Sequence, residues 1–328
     1  MANTNLSNAK NAKNDEFYTK FEDIANEINA YLVYNPNVFN GKTIFCPCDN
    51  PFDSNFFKYF TLNFQQFKLK KLIATYFASS TRHQKEHPHK IEITQISHLS
   101  KEKEINLFDV KYLLKSDKNQ LTRLTGDGDF RSAEIKKVRD DADMIITNPP
   151  FSLFREFLNW LTEADKQFLI IGSMNAITYK EVFRLIKENR IWLGVSSGCK
   201  SYIKPDKTEQ KLGNTCWFTN LEHGKRHCPI NLLSMKDNLL NEKKLKGKES
   251  YDRYDNYNAI EVPISVAIPN DYDGIMGVPI SFLEKYSPEQ FEIVGQMVNT
   301  KIDEYNFGYP FINGKRVYAR ILIKHKTF

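Results

Sequence analysis

Thr147, Asn148, Pro149, Pro150 and Phe151 close an apolar run, "DMIIT", with a carboxamide, two prolines and an aromatic ring in succession. Each proline holds φ near about −65° and donates no backbone hydrogen bond, so the chain is locked into one extended turn. The Asn148 side chain carries an oxygen acceptor, and Phe151 offers a π-face. A stiff turn that holds a hydrogen-bonding group beside a ring suits a planar, polar partner. The plain alternative is a cis-proline or strand-ending turn with a buried phenylalanine.

Such a turn needs elements to position it. Phe21, Ile24, Ile28 and Leu32 recur at helical spacing and predict an amphipathic helix over 19–34. "GKTIFCPCDN" reads as a short buried strand, followed by Asp53 or Ser54 as N-cap of a helix through "NFFKYFTLNF". "KKLIATYF" is a second strand, and the polar stretch 79–120 reads as an insertion with a hairpin around "KIEITQI". Strand "QLTR", helix "SAEIKKVRDD" and strand "DMIIT" lead to the prolines. "SLFREFLNWL", "QFLIIG", "YKEVFRLIKEN" and "IWLGV" then alternate helix and strand.

That alternation predicts an α/β fold with a mostly parallel sheet covered on both faces. Ligands of such sheets bind beyond the carboxyl ends of the strands, and "CPCDNP", "GDGDF" and "NPPF" all follow strands. The pattern breaks near residue 221. We therefore expect a flexible tail over 1–14, a main domain over 15–220 and a second region over 221–328.

Composition narrows the classes. Lys plus Arg number 46 against 40 Asp plus Glu, a net +6 that permits a polyanionic partner. The excess is concentrated late: "EKKLKGK" at 242–248 has four lysines against one glutamate, and "FINGKRVYARILIKHKTF" has five Lys or Arg and no acid. No apolar run approaches the roughly 18 residues of a membrane span, and the polar start lacks a signal-peptide core, so a cytoplasmic protein is expected. The five cysteines, an odd number, fit a reduced compartment. Cys216, His223, His227 and Cys228 match no standard zinc spacing, and no metal is expected.

Together, "DEFYT", "CPCDNPFDSNFFKYF", "GDGDFRS", "TNPPFSLFRE" and "LIIGSMNAIT" resemble the EcoRI-type adenine-specific DNA methyltransferases, and "YDGIMGVPISFLEKYSPEQFEIVG" and "NGKRVYARILIKHK" resemble the end of that family. The resemblance implies a Rossmann-like S-adenosylmethionine-dependent methyltransferase sheet with a smaller C-terminal DNA-recognition lobe. It implies N6 methylation of a flipped adenine in double-stranded DNA, as the modification half of a restriction-modification system whose cognate endonuclease shares the site without being bound. Asn148 and the Pro149 carbonyl would accept the two amine hydrogens, Pro149 and Pro150 would fix that geometry, and Phe151 would stack on the base.

For the cofactor, the resemblance implies Tyr18 and Thr19 near the methionine end, Asp49 on its ammonium, and Asp129 and Phe130 on its adenine. Lys243, Lys244, Lys246, Lys315, Arg316, Arg320 and Lys324 are the expected phosphate contacts. Two features depart from common methyltransferase patterns: no glycine stands between residues 46 and 54, and "LIATYFASS" has no acid for the ribose. Rival readings keep the chemistry on RNA or on protein glutamine, or retain the fold as a catalytically silent DNA-binding module.

Overall fold

The computed structural model describes residues 18–48, 52, 54–75, 88–96, 118–196, 198, 201–203, 208–211 and 213–326. The expected tail over 1–14 lies outside them. The chain divides into two compact units, one formed by the chain up to Ser173 with Gly194–Leu221, the other by Met174–Leu193 with the chain from Glu222 on.

The first unit opens with β1 (Tyr18–Thr19) and α1 (Phe21–Tyr34), which buries Ile24, Glu27, Ile28 and Tyr31 on one stripe. Next come β2 (Thr43–Cys46) and α2 (Asn55–Leu62). Ser54 caps α2 by accepting from the Phe57 N–H at 3.3 Å. β3 (Lys71–Thr75), β4 (His89–Ile93) and β5 (Gln120–Arg123) follow. α3 (Ala133–Asp141), capped by Ser132, leads into β6 (Met144–Thr147), α4 (Phe154–Thr162) and β7 (Gln167–Ser173). The chain then supplies α5 (Lys180–Lys187) and β8 (Trp192–Leu193) to the second unit. It returns with β9 (Ser201–Ile203), β10 (Glu209–Lys211) and β11 (Thr215–Thr219).

Within this unit the main sheet runs β5-β4-β3-β2-β6-β7-β11. β3, β2, β6 and β7 are parallel neighbours, whereas β4, β5 and β11 join antiparallel at the edges. The sheet is therefore mixed, with the parallel part at its centre. The central β2 and β6 are covered along their whole length, as is the antiparallel β11, while every residue of β5 is exposed at the opposite edge. The supposed insertion contributes to this sheet as well. In β4, Ile91 and Ile93 point into the core, and Glu92 bridges Lys71 and Lys90 at 3.2 and 2.8 Å. A separate sheet, β1-β9-β10, pairs Thr19 with Tyr202.

Glu27 anchors the return of the chain. Its buried carboxylate accepts from Tyr31 Oη (3.0 Å), Val195 N (2.8 Å), Ser196 N (2.7 Å) and Ser196 Oγ (2.7 Å). Burial raises the Glu27 pKa above the ordinary carboxylate value, and the four donors oppose that rise. A Cβ on Gly194 would lie 2.2 Å from Glu27 Oε1 and 2.6 Å from Trp217 Cβ. Gly194→Ala is therefore expected to destabilise the fold by about 1–3 kcal/mol in urea unfolding. An unchanged midpoint would show that this clamp is loose.

In the second unit, α6 (Met235–Asn241) and β12 (Ile260–Glu261) precede β13 (Met276–Pro279), β14 (Phe291–Met297), the hairpin strands β15 (Phe311–Ile312) and β16 (Lys315–Arg316), and β17 (Arg320–His325). The sheet order is β12-β13-β17-β14, with a bulge between Ile293 and Gly295. Tyr254, Ala259, Met297 and Leu322 form part of its core.

Candidate active site

The connection from β2 to β3 runs to one side of β2, and β6 lies on the other side. This reversal makes the carboxyl ends of β2 and β6 the sheet's topological switch point, the place where open α/β sheets bind ligands. Two of the three expected turns, "CPCDNP" and "NPPF", leave from there, and "GDGDF" follows β5. The Thr147 hydroxyl donates to the Pro47 carbonyl and so ties the end of β6 to the turn after β2. That turn lacks glycine, yet Cys48 takes a φ of 79°, a backbone conformation that usually favours glycine.

Asn148 follows as a buried residue, 7% exposed, with Pro149 buried and Pro150 half-buried behind it. Pro150 has φ −56° and ψ 123°, and its carbonyl accepts from Leu153 N at 2.9 Å, which starts a single 3₁₀ turn over Phe151–Leu153 that leads into α4. No cis peptide occurs among the described residues, so the proposed cis-proline turn is not what shapes this loop. Phe151 is half-buried, packed against the core on the α1 and α2 side. The Tyr202 ring meets it edge-on at 6.2 Å and 86°.

Thr19 reaches the same neighbourhood through its pairing with Tyr202, and its carbonyl accepts from Asn55 Nδ2 at 2.7 Å. The Thr19 hydroxyl is buried and has no hydrogen-bond partner among the described residues. The same is true of the Thr75 hydroxyl at the carboxyl end of β3. Buried hydroxyls normally find partners, so two without one on this side of the sheet fit a polar ligand. Tyr18 contributes backbone pairing to Ile203. Asp49 lies outside the described residues.

In "GDGDF", Asp129 is engaged by a neighbour two residues on. Its Oδ1 accepts from Arg131 N (2.8 Å) and Nε (2.9 Å), and its Oδ2 accepts from Arg131 Nη2 at 2.6 Å. Arg131 also reaches Glu156 on α4 at 3.1 Å, which fastens this loop to the helix that follows Phe151. Phe130 is buried, edge-on to Phe157 at 5.1 Å and to Trp160 at 5.7 Å.

The Arg131 hydrogen bonds hold the Asp129 carboxyl below the usual carboxylate range. A depressed folded value stabilises the protein above the unfolded pKa of about 3.9, and the gain is lost as pH falls through the folded value. The pair is partly exposed, so the gain is at most about 1 kcal/mol. Arg131→Met should move the Asp129 titration, followed by carboxyl-carbon NMR, back up toward about 3.9. No movement would mean that the pairing is absent in solution.

The expected phosphate contacts all lie in the second unit. Lys243, Lys244 and Lys246 are exposed on the segment after α6, and Lys315 and Arg316 are exposed on the hairpin. Lys324 is half-paired, 3.0 Å from Glu292. Arg320 is the correction. It is 9% exposed, its Nε lies 2.9 and 3.1 Å from the Glu261 oxygens, and Glu261 also accepts from the Tyr254 hydroxyl. A guanidinium committed to a buried carboxylate cannot also meet phosphate. His223 and His227 are likewise used internally. His223 Nδ1 accepts from Arg226 N and its Nε2 meets the Leu193 carbonyl at 2.9 Å, whereas His227 bridges Glu222 and Glu289.

Sequence reasoning missed Tyr202, Glu27 and Thr75. Glu27 had a signal, since a carboxylate inside the stripe Ile24, Ile28, Tyr31 must be buried with partners. Tyr202 had none, because its place comes from pairing with a strand far away in the chain.

A family model described as "Adenine-specific methyltransferase EcoRI" matches residues 5–326. The Type II methyltransferase M.EcoRI of Escherichia coli is 42% identical over 98% of this chain and 96% of its own length. M.MgeORF184P of Mycoplasma genitalium is 35% identical over 97% and 98%, and M.MpnI of Mycoplasma pneumoniae 34% over 98% of each. No solved structure matches. Motif order, a loop placed at the sheet's switch point and identity along the whole chain agree: this chain belongs to the EcoRI family of adenine-specific methyltransferases.

Proposed function

We propose that the chain transfers a methyl group from S-adenosylmethionine to the exocyclic N6 of an adenine flipped out of duplex DNA, as the modification half of a restriction-modification pair. The observation that carries this reading is the Asn148 carboxamide, buried in a proline-locked turn at the switch point with Phe151 beside it. The adenine amine is conjugated with its ring, and its lone pair becomes nucleophilic only when the nitrogen pyramidalises. Asn148 Oδ1 and the Pro149 carbonyl accept its two hydrogens and favour that geometry, while Phe151 steadies the ring. So held, N6 would take the methyl that bound S-adenosylmethionine supplies as the carbon–sulfur bond breaks, the sulfur leaving as a neutral thioether, and would then lose one proton to solvent. The bound cofactor supplies a methyl carried on a positively charged sulfur. Thr19 and Thr75 hydroxyls, with Tyr18, Asp49, Asp129 and Phe130, are the groups assigned to hold it. In this reading residues 15–220 carry the chemistry and 221–328 the DNA recognition.

Incubating the protein with methyl-labelled cofactor and a duplex pool of varied sequence should yield N6-methyladenine. Label in RNA or in protein glutamine instead would move the reaction to those substrates. Salt-dependent DNA binding with no transfer at all would make the chain a silent binding module.

A further inference from the structure

Hairpin β15–β16 is built to be rigid. Its two-residue turn places Asn313 at φ 49° and Gly314 at φ 72°, the left-handed pair of a type I′ turn whose twist matches paired strands. Both turn N–H groups are held: Asp255 Oδ1 accepts from Asn313 N at 3.0 Å and Oδ2 from Gly314 N at 2.8 Å, while Asp255 N donates to the Phe311 carbonyl at 2.8 Å. Asn256 adds a bond to the Tyr309 carbonyl at 3.0 Å. The Arg316 guanidinium lies 4.5 Å over the Tyr309 ring, which restricts where its charge can point.

Beyond the hairpin the backbone is pinned from inside. Arg320 Nη1 donates to both the Tyr318 and Ala319 carbonyls at 3.1 Å, and Glu261 fixes the same guanidinium. On this braced backbone the Tyr318 side chain is 88% exposed. Lys315 and Arg316 are exposed close by in sequence, and from Tyr305 to Phe328 the chain contains no acidic residue. An aromatic ring on a loose loop would be an ordinary surface feature. A ring projected from a stiffened, cationic ribbon is suited to a polyanion that carries flat apolar faces.

We infer that Tyr318 stacks on a nucleobase of the DNA substrate, with Lys315 and Arg316 seating the hairpin on adjacent phosphates. The inference rests on the DNA-methylating reading above and adds to it a side chain that grips the duplex. Bending or opening a duplex unstacks bases, and an aromatic side chain that covers one of them recovers part of that loss.

The test is fluorescence anisotropy with a short labelled duplex carrying the site methylated by the wild-type protein. Tyr318→Ala should weaken binding about tenfold or more with an unchanged dependence on salt, and Tyr318→Phe should keep wild-type affinity. Lys315→Ala combined with Arg316→Ala should instead flatten the slope of log affinity against log salt by about 2. Calorimetric binding of S-adenosylmethionine should be unchanged in every variant. Tyr318→Ala binding within about twofold of wild type would overturn the inference, as would a Tyr318→Phe variant as weak as the alanine. If the wild-type protein methylates DNA in either case, only this inference fails; if it methylates no DNA, the underlying reading has failed first.

Discussion

Asn148→Ala is expected to lower methyl transfer by about 100- to 1,000-fold while leaving cofactor affinity close to wild type. The loss is that of one pre-organised acceptor aimed at hydrogens that must be held only while the nitrogen changes shape. Its neighbours stay put, because Thr147 remains tied to Pro47 and Pro150 still begins the turn into α4. Asn148→Asp keeps an acceptor oxygen at the same position and should retain far more activity than the alanine. Single-turnover transfer with calorimetric cofactor binding separates the cases. Full turnover by Asn148→Ala would remove this side chain from the reaction.

Arg320→Ala should cost about 3–5 kcal/mol of folding stability, because it leaves the Glu261 carboxylate buried beside the Tyr254 hydroxyl without its cation. Burial and Glu261 together push the Tyr254 hydroxyl far above its ordinary pKa, so that phenol stays protonated and keeps donating. A surface arginine that merely met phosphate would behave oppositely, with full stability and weakened, less salt-dependent DNA binding. Urea unfolding decides between them. A loss under about 1 kcal/mol would return Arg320 to the surface set.

Arg320 also shows where reading the chain alone stops. Five cations without an acid nearby in sequence look like one basic face. The acid that claims Arg320 is Glu261, delivered by the neighbouring strands of a sheet. The Asn148–Phe151 turn was readable because its features are local: proline geometry, an amide and a ring occupy consecutive positions. The helices α1, α2 and α4 were readable for the same reason, from apolar spacing and the Ser54 cap. β4 was read only as part of a hairpin in an insertion because of its polar flanks, although Ile91 and Ile93 alternate with Lys90 and Glu92 as a half-buried strand should. Tyr202 was invisible because only the pairing of Ser201–Ile203 with Tyr18–Thr19 brings it to Phe151.

The excursion of Met174–Leu193 bears on any attempt to split the gene. A fragment stopped at Leu221 would translate α5 with Val182, Phe183, Leu185 and Ile186 bare of the partners that normally cover them. Its complement, begun at Glu222, would lack the same helix. Neither half is a self-sufficient piece, so bisected or swapped chimaeras should carry residues 174–193 along with the carboxyl-terminal part.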